Sequence, residues 1–211
     1  MSGSYEGLHV VLTGAAGGLG GAVVETLRAR GAVCHAPTHR ELDLTDETSV
    51  ARFYGALPTP LWGSIQLVGG FSMAGLEETT LQTFEAQWKI NAVTAFLSCR
   101  EAVRCMKRAG HGGRIVNVAS LVVVNPPRGM VAYVAAKSAV AAMTRAMAAE
   151  LRADGILVNA VLPNIIDTPA NRAAMPGADM THWTAPSAIA NAIAWLASPD
   201  NTTVTGALIP V

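Results

Sequence analysis

The chain alternates short runs of consecutive apolar residues with longer stretches in which small and apolar residues recur every three or four positions. Runs of the first kind suit strands buried on both faces of a parallel sheet, and stretches of the second suit the helices that cover it. Residues 8–13 (LHVVLT) open the series as a strand, a glycine cluster follows, and 19–30 read as a helix stopped at Gly31. A second strand covers 32–36, and Pro37 ends its ladder. Helices are expected at about 47–57, 81–109, 131–152 and 186–197, and strands at 64–68, 114–119, 156–162 and 206–210, while 164–184 is loop-rich. Residues 38–44 (THRELDL) are too few for a crossover helix, which takes about a dozen residues. A third strand ending near Asp43 is therefore reached by a shortened connection or is vestigial. The pattern specifies an α/β fold, a single doubly wound parallel sheet with helices on both faces, with residues 1–211 forming one domain.

Composition narrows the function. Of 211 residues, 51% are hydrophobic and 14% charged, which excludes intrinsic disorder. Fifteen basic residues balance fifteen acidic ones, so no electrostatic case exists for nucleic acid or an anionic membrane as partner. No apolar run reaches the roughly 18–20 residues of a membrane span. The amino end (MSGSYEGLHVV) lacks a basic segment followed by an apolar one, and a cytoplasmic location is expected. Cys34, Cys99 and Cys105 form an odd set and are expected to be reduced thiols in or near the core. No set of residues spaced for a metal is identified.

The segment Thr13-Gly14-Ala15-Ala16-Gly17-Gly18-Leu19-Gly20 lies between the first strand and the first helix. Glycines there allow a sharp turn and close backbone approach to a pyrophosphate, and the helix start offers unpaired N–H groups. A tight strand-to-helix turn is the plain alternative, but the placement favours dinucleotide binding by a Rossmann fold. An NAD-type unit has an acid at the end of the second strand to accept the ribose 2′-OH. Here that place reads Pro37-Thr38-His39-Arg40. Thr38 is able to donate to a 2′-phosphate and Arg40 to make charge-assisted contacts with it. NADP(H) is therefore favoured, with NAD(H) as the alternative. Asp43, followed by Leu44, is placed to accept from the adenine amino group.

Tyr133 and Lys137 are four apart in a helical stretch, YVAAK, and project from one face. An ammonium near a phenol favours the phenolate and lowers a pKa normally about 10, making the tyrosine a usable acid and base. Ser120 lies thirteen residues before Tyr133 at the carboxyl end of the strand IVNVAS, where α/β proteins bind ligands. Asn91 stands among apolar neighbours in WKINAVTAF, either bonding the backbone at a bend or holding a water in a proton relay.

With these residues in order, the chain resembles a short-chain dehydrogenase/reductase over nearly its whole length. The resemblance implies Tyr133 as proton donor to a carbonyl, Lys137 on the nicotinamide ribose, Ser120 polarising the substrate and Asn91 anchoring a relay water. It places residues 163–168 (PNIIDT) at the nicotinamide, with Pro163, Ile166 and Thr168 as contacts, and Gly69 and Gly70 beside the cofactor. Three features depart from the family pattern: Val68-Gly69-Gly70 replaces Asn-Ala-Gly, Asn164 replaces a glycine, and the common glycine-containing tail is missing. Residues 162–184 and LVGGFSMAG also resemble dihydropteridine reductase, so quinonoid pterin reduction is a second reading. A catalytically silent NAD(P) sensor or scaffold is a third. The substrate, a small carbonyl or alcohol compound, is expected among Phe71, Ser72, Met73 and the segments 121–130 and 169–184, with Arg128, Arg172 and Trp183 as anchors. A homodimer or homotetramer is implied, through the helices at 81–109 and 131–152, where Ala135, Ala136, Ala139, Ala142 and Ala146 permit close approach.

Overall fold

In the computed structural model, which describes residues 5–58 and 60–211, six parallel strands form one sheet in the order β2-β1-β3-β4-β5-β6. The order of elements is β1 (His9–Thr13), α1 (Gly20–Arg28), β2 (Val33–His35), α2 (Glu47–Gly55), β3 (Leu61–Gln66), α3 (Leu81–Trp88) and α4 (Thr94–Ala109), then β4 (Gly113–Val118), α5 (Val131–Leu151), β5 (Ile156–Leu162), α6 (Pro169–Ala174), α7 (Pro186–Leu196) and β6 (Leu208–Pro210). The strand order reverses direction after β1, and this opens a crevice at the carboxyl ends of the strands. The first four residues, on which the expectation about a leader partly rests, lie outside the described residues.

Alternate residues of the strands face opposite cores. Val10 and Leu12 join Val23 and Leu27 of α1 and Ile189 and Ile193 of α7 on one side. Val11, Ile115 and Val158 meet Val50 of α2 and Cys99, Ala102 and Met106 of α4 on the other. Each valine, leucine, isoleucine or methionine among them, fully buried, contributes about 1.5–3 kcal/mol. Burial on both faces explains why the strands read as continuous apolar runs.

Two expectations are corrected here. There is no third strand at 42–44, so β2 pairs with β1 alone among the described residues. Segment 38–42 instead closes a single turn, with the N–H groups of Glu41 and Leu42 both donating to the Thr38 carbonyl at 3.1 and 3.0 Å. Leu42 is then buried against the α2–α4 side, and Asp46 caps α2 by accepting from Thr48 and Ser49. The long helix expected over 81–109 is interrupted: residues Lys89–Val93 form a π-helical turn between α3 and α4. The chain enters that turn from Trp88 with ordinary helical backbone, so the extra residue displaces the ladder without breaking the rod.

Candidate active site

The glycine loop, Gly69-Gly70, Ser120 and residues 163–168 follow β1, β3, β4 and β5, Thr38 and Arg40 follow β2, and Asn91, Tyr133 and Lys137 come from helical segments. The glycine loop follows β1. Gly14 turns with φ +79°, a conformation that side chains disfavour, and a Cβ there would lie 2.8 Å from the Val68 backbone nitrogen. A Cβ on Gly18 would meet Thr168 Cγ2 at 2.7 Å, and one on Gly20 would meet the Ala15 carbonyl oxygen at 2.2 Å. The loop therefore holds its backbone against the segments after β3 and β5 at Gly14 and Gly18 and against itself at Gly20, with no room for a side chain at these three positions. Leu19 is buried and leads into α1, and Thr13 is fixed by a 3.0 Å bond to Gln66 Oε1.

A cavity of about 250 Å³ opens beside this loop, lined by Thr13, Gly14, Thr38, Asp43, Leu44 and Val68 among others. A broader concavity of about 700 Å³ runs along the outer flank of α1 to Ala36, away from Tyr133. The glycine cradle and the smaller cavity fit a dinucleotide: the cradle admits a pyrophosphate backbone-close, and the cavity takes an adenosine. Asp43 accepts from the N–H and hydroxyl of Thr45, both at 2.8 Å, which holds its carboxyl below the usual carboxylate range. Arg40 is exposed. Thr38 carries a contact that the sequence reading missed, because its N–H and hydroxyl both donate to the Glu41 carboxylate, at 2.8 and 2.9 Å. The spacing Thr-x-x-Glu, a known reciprocal turn signature, was the available signal.

At the other end of the crevice, Ser120 follows β4 and Tyr133 and Lys137 stand one turn apart on α5. The Ser120 hydroxyl faces the Tyr133 phenol closely enough to favour its ionised form. Lys137 is buried, donates to the Val118 carbonyl at 2.9 Å, and sits 5.9 Å from the centre of the Tyr133 ring. The expected lowering of the phenol is reversed in the protein alone. Burial raises the Tyr133 pKa, and only the Ser120 hydroxyl opposes it. The physical reason is that desolvation disfavours phenolate and ammonium alike, so Lys137 is itself brought down to about 8.

Asn91 sits in the π-helical turn and is buried. Its Oδ1 accepts from the Gly70 N–H at 3.2 Å, and its Nδ2 donates to the Gly70 carbonyl at 3.0 Å and the Gln87 carbonyl at 2.9 Å. The side chain is thus a two-point clamp on the loop after β3. A Cβ on Gly69 would lie 2.8 Å from Asn91 Oδ1 and 3.0 Å from Lys137 Nζ, which accounts for glycine where the family pattern has alanine. Phe71, two residues after Gly69, meets the Tyr133 ring edge-on at 5.2 Å.

After β5, Pro163 is buried and its carbonyl accepts from Leu121, tying this segment to the one carrying Ser120. Ile166 bridges to Thr184, and Thr168 lies under Gly18 while capping α6 through Asn171. The substrate anchors fare differently. Arg172 makes a two-pronged ion pair with Asp167 at 2.5 and 2.7 Å, Arg128 is exposed, and Trp183 is half-buried. Of the alanines on α5, Ala136 is fully buried within its own chain, whereas Ala142 and Ala146 are exposed.

With this geometry in view, a family model described as enoyl-(acyl carrier protein) reductase matches residues 4–211. The chain belongs to the short-chain dehydrogenase/reductase family. It shares 34% identity over 236 residues with a cis-4-hydroxycyclohexanecarboxylate dehydrogenase of Sinomonas cyclohexanicum, covering 95% of this chain and 93% of that protein. A cyclic-di-GMP-binding biofilm dispersal mediator protein of Escherichia coli (strain K12) is 37% identical over 142 residues, and the match spans 62% of this chain and 57% of that protein. The structure titled ElxO with NADP bound superimposes at TM-score 0.90 over 97% of both chains at 22% identity, a likeness of fold. As a short-chain dehydrogenase/reductase, the chain is an oxidoreductase of a nicotinamide-dependent family. Among the described residues, no helix is long and apolar enough to cross a membrane.

Proposed function

We propose that this dehydrogenase/reductase interconverts a small neutral carbonyl compound and its alcohol with NADP(H), NAD(H) being the second cofactor. The observation that carries the reading is the Tyr133 ring packed 5.9 Å from the ammonium of a buried Lys137, which is itself held by the Val118 carbonyl two residues before the buried Ser120. When bound, the nicotinamide supplies or accepts the hydride. Tyr133, its proton held firmly by burial, donates that proton to the carbonyl oxygen in reduction and takes it back in oxidation. Ser120 donates to the same oxygen and polarises it. Lys137 holds positive charge beneath the phenol at neutral pH and reaches the nicotinamide ribose. Asn91 holds the Gly69-Gly70 loop against the cofactor, and its backbone serves the relay. Gly14, Gly18, Leu19 and Gly20 take the pyrophosphate, with Thr13 supporting the loop. Thr38 and Arg40 take the ribose, Asp43 and Leu44 the adenine, and Pro163, Ile166 and Thr168 the carboxamide.

Phe71, Met73 and Val124 are large apolar side chains left exposed around the crevice mouth, and Arg172 is occupied by Asp167. These features support a neutral, apolar substrate, whereas the alicyclic alcohol named for the Sinomonas relative also carries a carboxylate. The chain is read as one domain acting in the cytoplasm, and as a homodimer or homotetramer through exposed residues of α4 and α5.

The test is NADPH oxidation against a panel of ketones, aldehydes, quinones and quinonoid dihydropterins. Turnover of ketones that falls by about a hundredfold or more in Tyr133→Phe supports the proposal. Turnover of the pterins alone assigns the dihydropteridine reductase reading. Tight NADPH binding without turnover across the panel assigns the silent sensor instead.

A further inference from the structure

The ribose end of the adenosine cavity is bounded by the segment that replaces the missing helix and strand, and Thr38 and His39 line it. Because the chain reverses within one turn there, Glu41 is carried back onto the end of the second strand, where the sequence shows no acid. Its carboxylate accepts from the Thr38 N–H at 2.8 Å and the Thr38 hydroxyl at 2.9 Å. These are the donors that a ribose 2′-phosphate would need. We infer that Glu41 is a specificity-determining residue of the nucleotide cleft, acting as an internal anion on Thr38 that disfavours a 2′-phosphate relative to a 2′-hydroxyl.

The inference rests on the cofactor reading above and refines it. A phosphate monoester carries about −1.5 to −2 charges, so it must displace Glu41 from Thr38 or lie beside a like charge. A 2′-hydroxyl meets no such penalty, since a carboxylate accepts its hydrogen. The two bonds from Thr38 hold the Glu41 carboxyl below the usual carboxylate range, and the side chain is exposed, so it can leave Thr38 for solvent. Arg40, the neighbouring residue, attracts the phosphate that Glu41 repels. The margin between NADP(H) and NAD(H) is then the difference between two adjacent opposite charges.

The experiment is calorimetric titration of wild type and Glu41→Gln with 2′-phospho-ADP-ribose and with ADP-ribose, fragments that lack the nicotinamide and so involve no turnover. Glutamine keeps an oxygen for the Thr38 N–H and preserves the turn. The ratio of affinities, phosphorylated over unphosphorylated, should rise roughly five- to tenfold in Glu41→Gln at low salt, and the gain should shrink at about 0.5 M salt. An unchanged ratio with both fragments bound, or an equal change for both, overturns the role of Glu41 alone. Failure of both fragments to bind wild type overturns the cofactor reading beneath it.

Discussion

Replacing Lys137 by methionine should make the protein more stable at neutral pH while removing its activity. The ammonium is buried among backbone and apolar groups, and burial brings it from an ordinary 10.5 to about 8. In the unfolded chain the lysine stays protonated to its ordinary value. Below pH 8 the folded state therefore carries the full cost of a buried charge, about 3 kcal/mol for a shift of this size. Between pH 8 and 10.5 the unfolded chain holds more protons than the folded one, and the cost is relieved as pH rises. Methionine has a similar length and no charge to desolvate, but it gives up the 2.9 Å bond to the Val118 carbonyl, worth about 1–2 kcal/mol. Lys137→Met should thus gain roughly 1–2 kcal/mol at pH 7, and the difference should shift by about 2–3 kcal/mol in favour of wild type by pH 10, leaving the variant the less stable protein there. Urea unfolding of both proteins at closely spaced pH values reads the difference directly, and tyrosine ionisation common to both cancels. Parallel profiles for the two proteins from pH 7 to 10 would refute the reasoning.

Further substitutions probe the rest of the site. Asn91→Ala removes both bonds to Gly70 and two to Gln87, and it should cost about 2–3 kcal/mol in thermal unfolding, with turnover reduced at least about tenfold. Gly20→Ala drives a methyl to 2.2 Å from a backbone carbonyl that cannot yield; a loss of roughly 2–4 kcal/mol and of dinucleotide binding by calorimetry is expected. Arg172→Ala should change stability by less than about 1 kcal/mol, because its ion pair is largely exposed. It should also leave KM for a neutral ketone unaltered, whereas a marked rise would restore the arginine as a substrate anchor.

Much of the architecture was legible because burial on both faces leaves apolar runs, and those runs located β1, β4 and β5 to within a residue or two. Ser120, Tyr133 and Lys137 were legible because a strand end and a helical repeat of four fix where such side chains lie. What escaped notice depends on where chain segments meet. Whether 38–44 held a strand turned on Leu42 burying itself in place of a ladder, which residue order alone leaves open. The π-helical turn carries Asn91, whose side chain is bonded to Gly70, a partner twenty-one residues away that residue order does not reveal. The direction of the Tyr133 shift was misjudged because spacing reports the neighbouring ammonium but not the depth at which both groups lie.

The loss of one strand has a consequence for how copies of this molecule meet. Both outermost strands, β2 and β6, are three residues long, and a proline follows the first by two positions and closes the second. Short margins bearing a residue that cannot donate are poor templates for adding a further strand. Crowded solutions of this protein should therefore resist fibrillar growth along the sheet, and self-association is left to the helical surfaces.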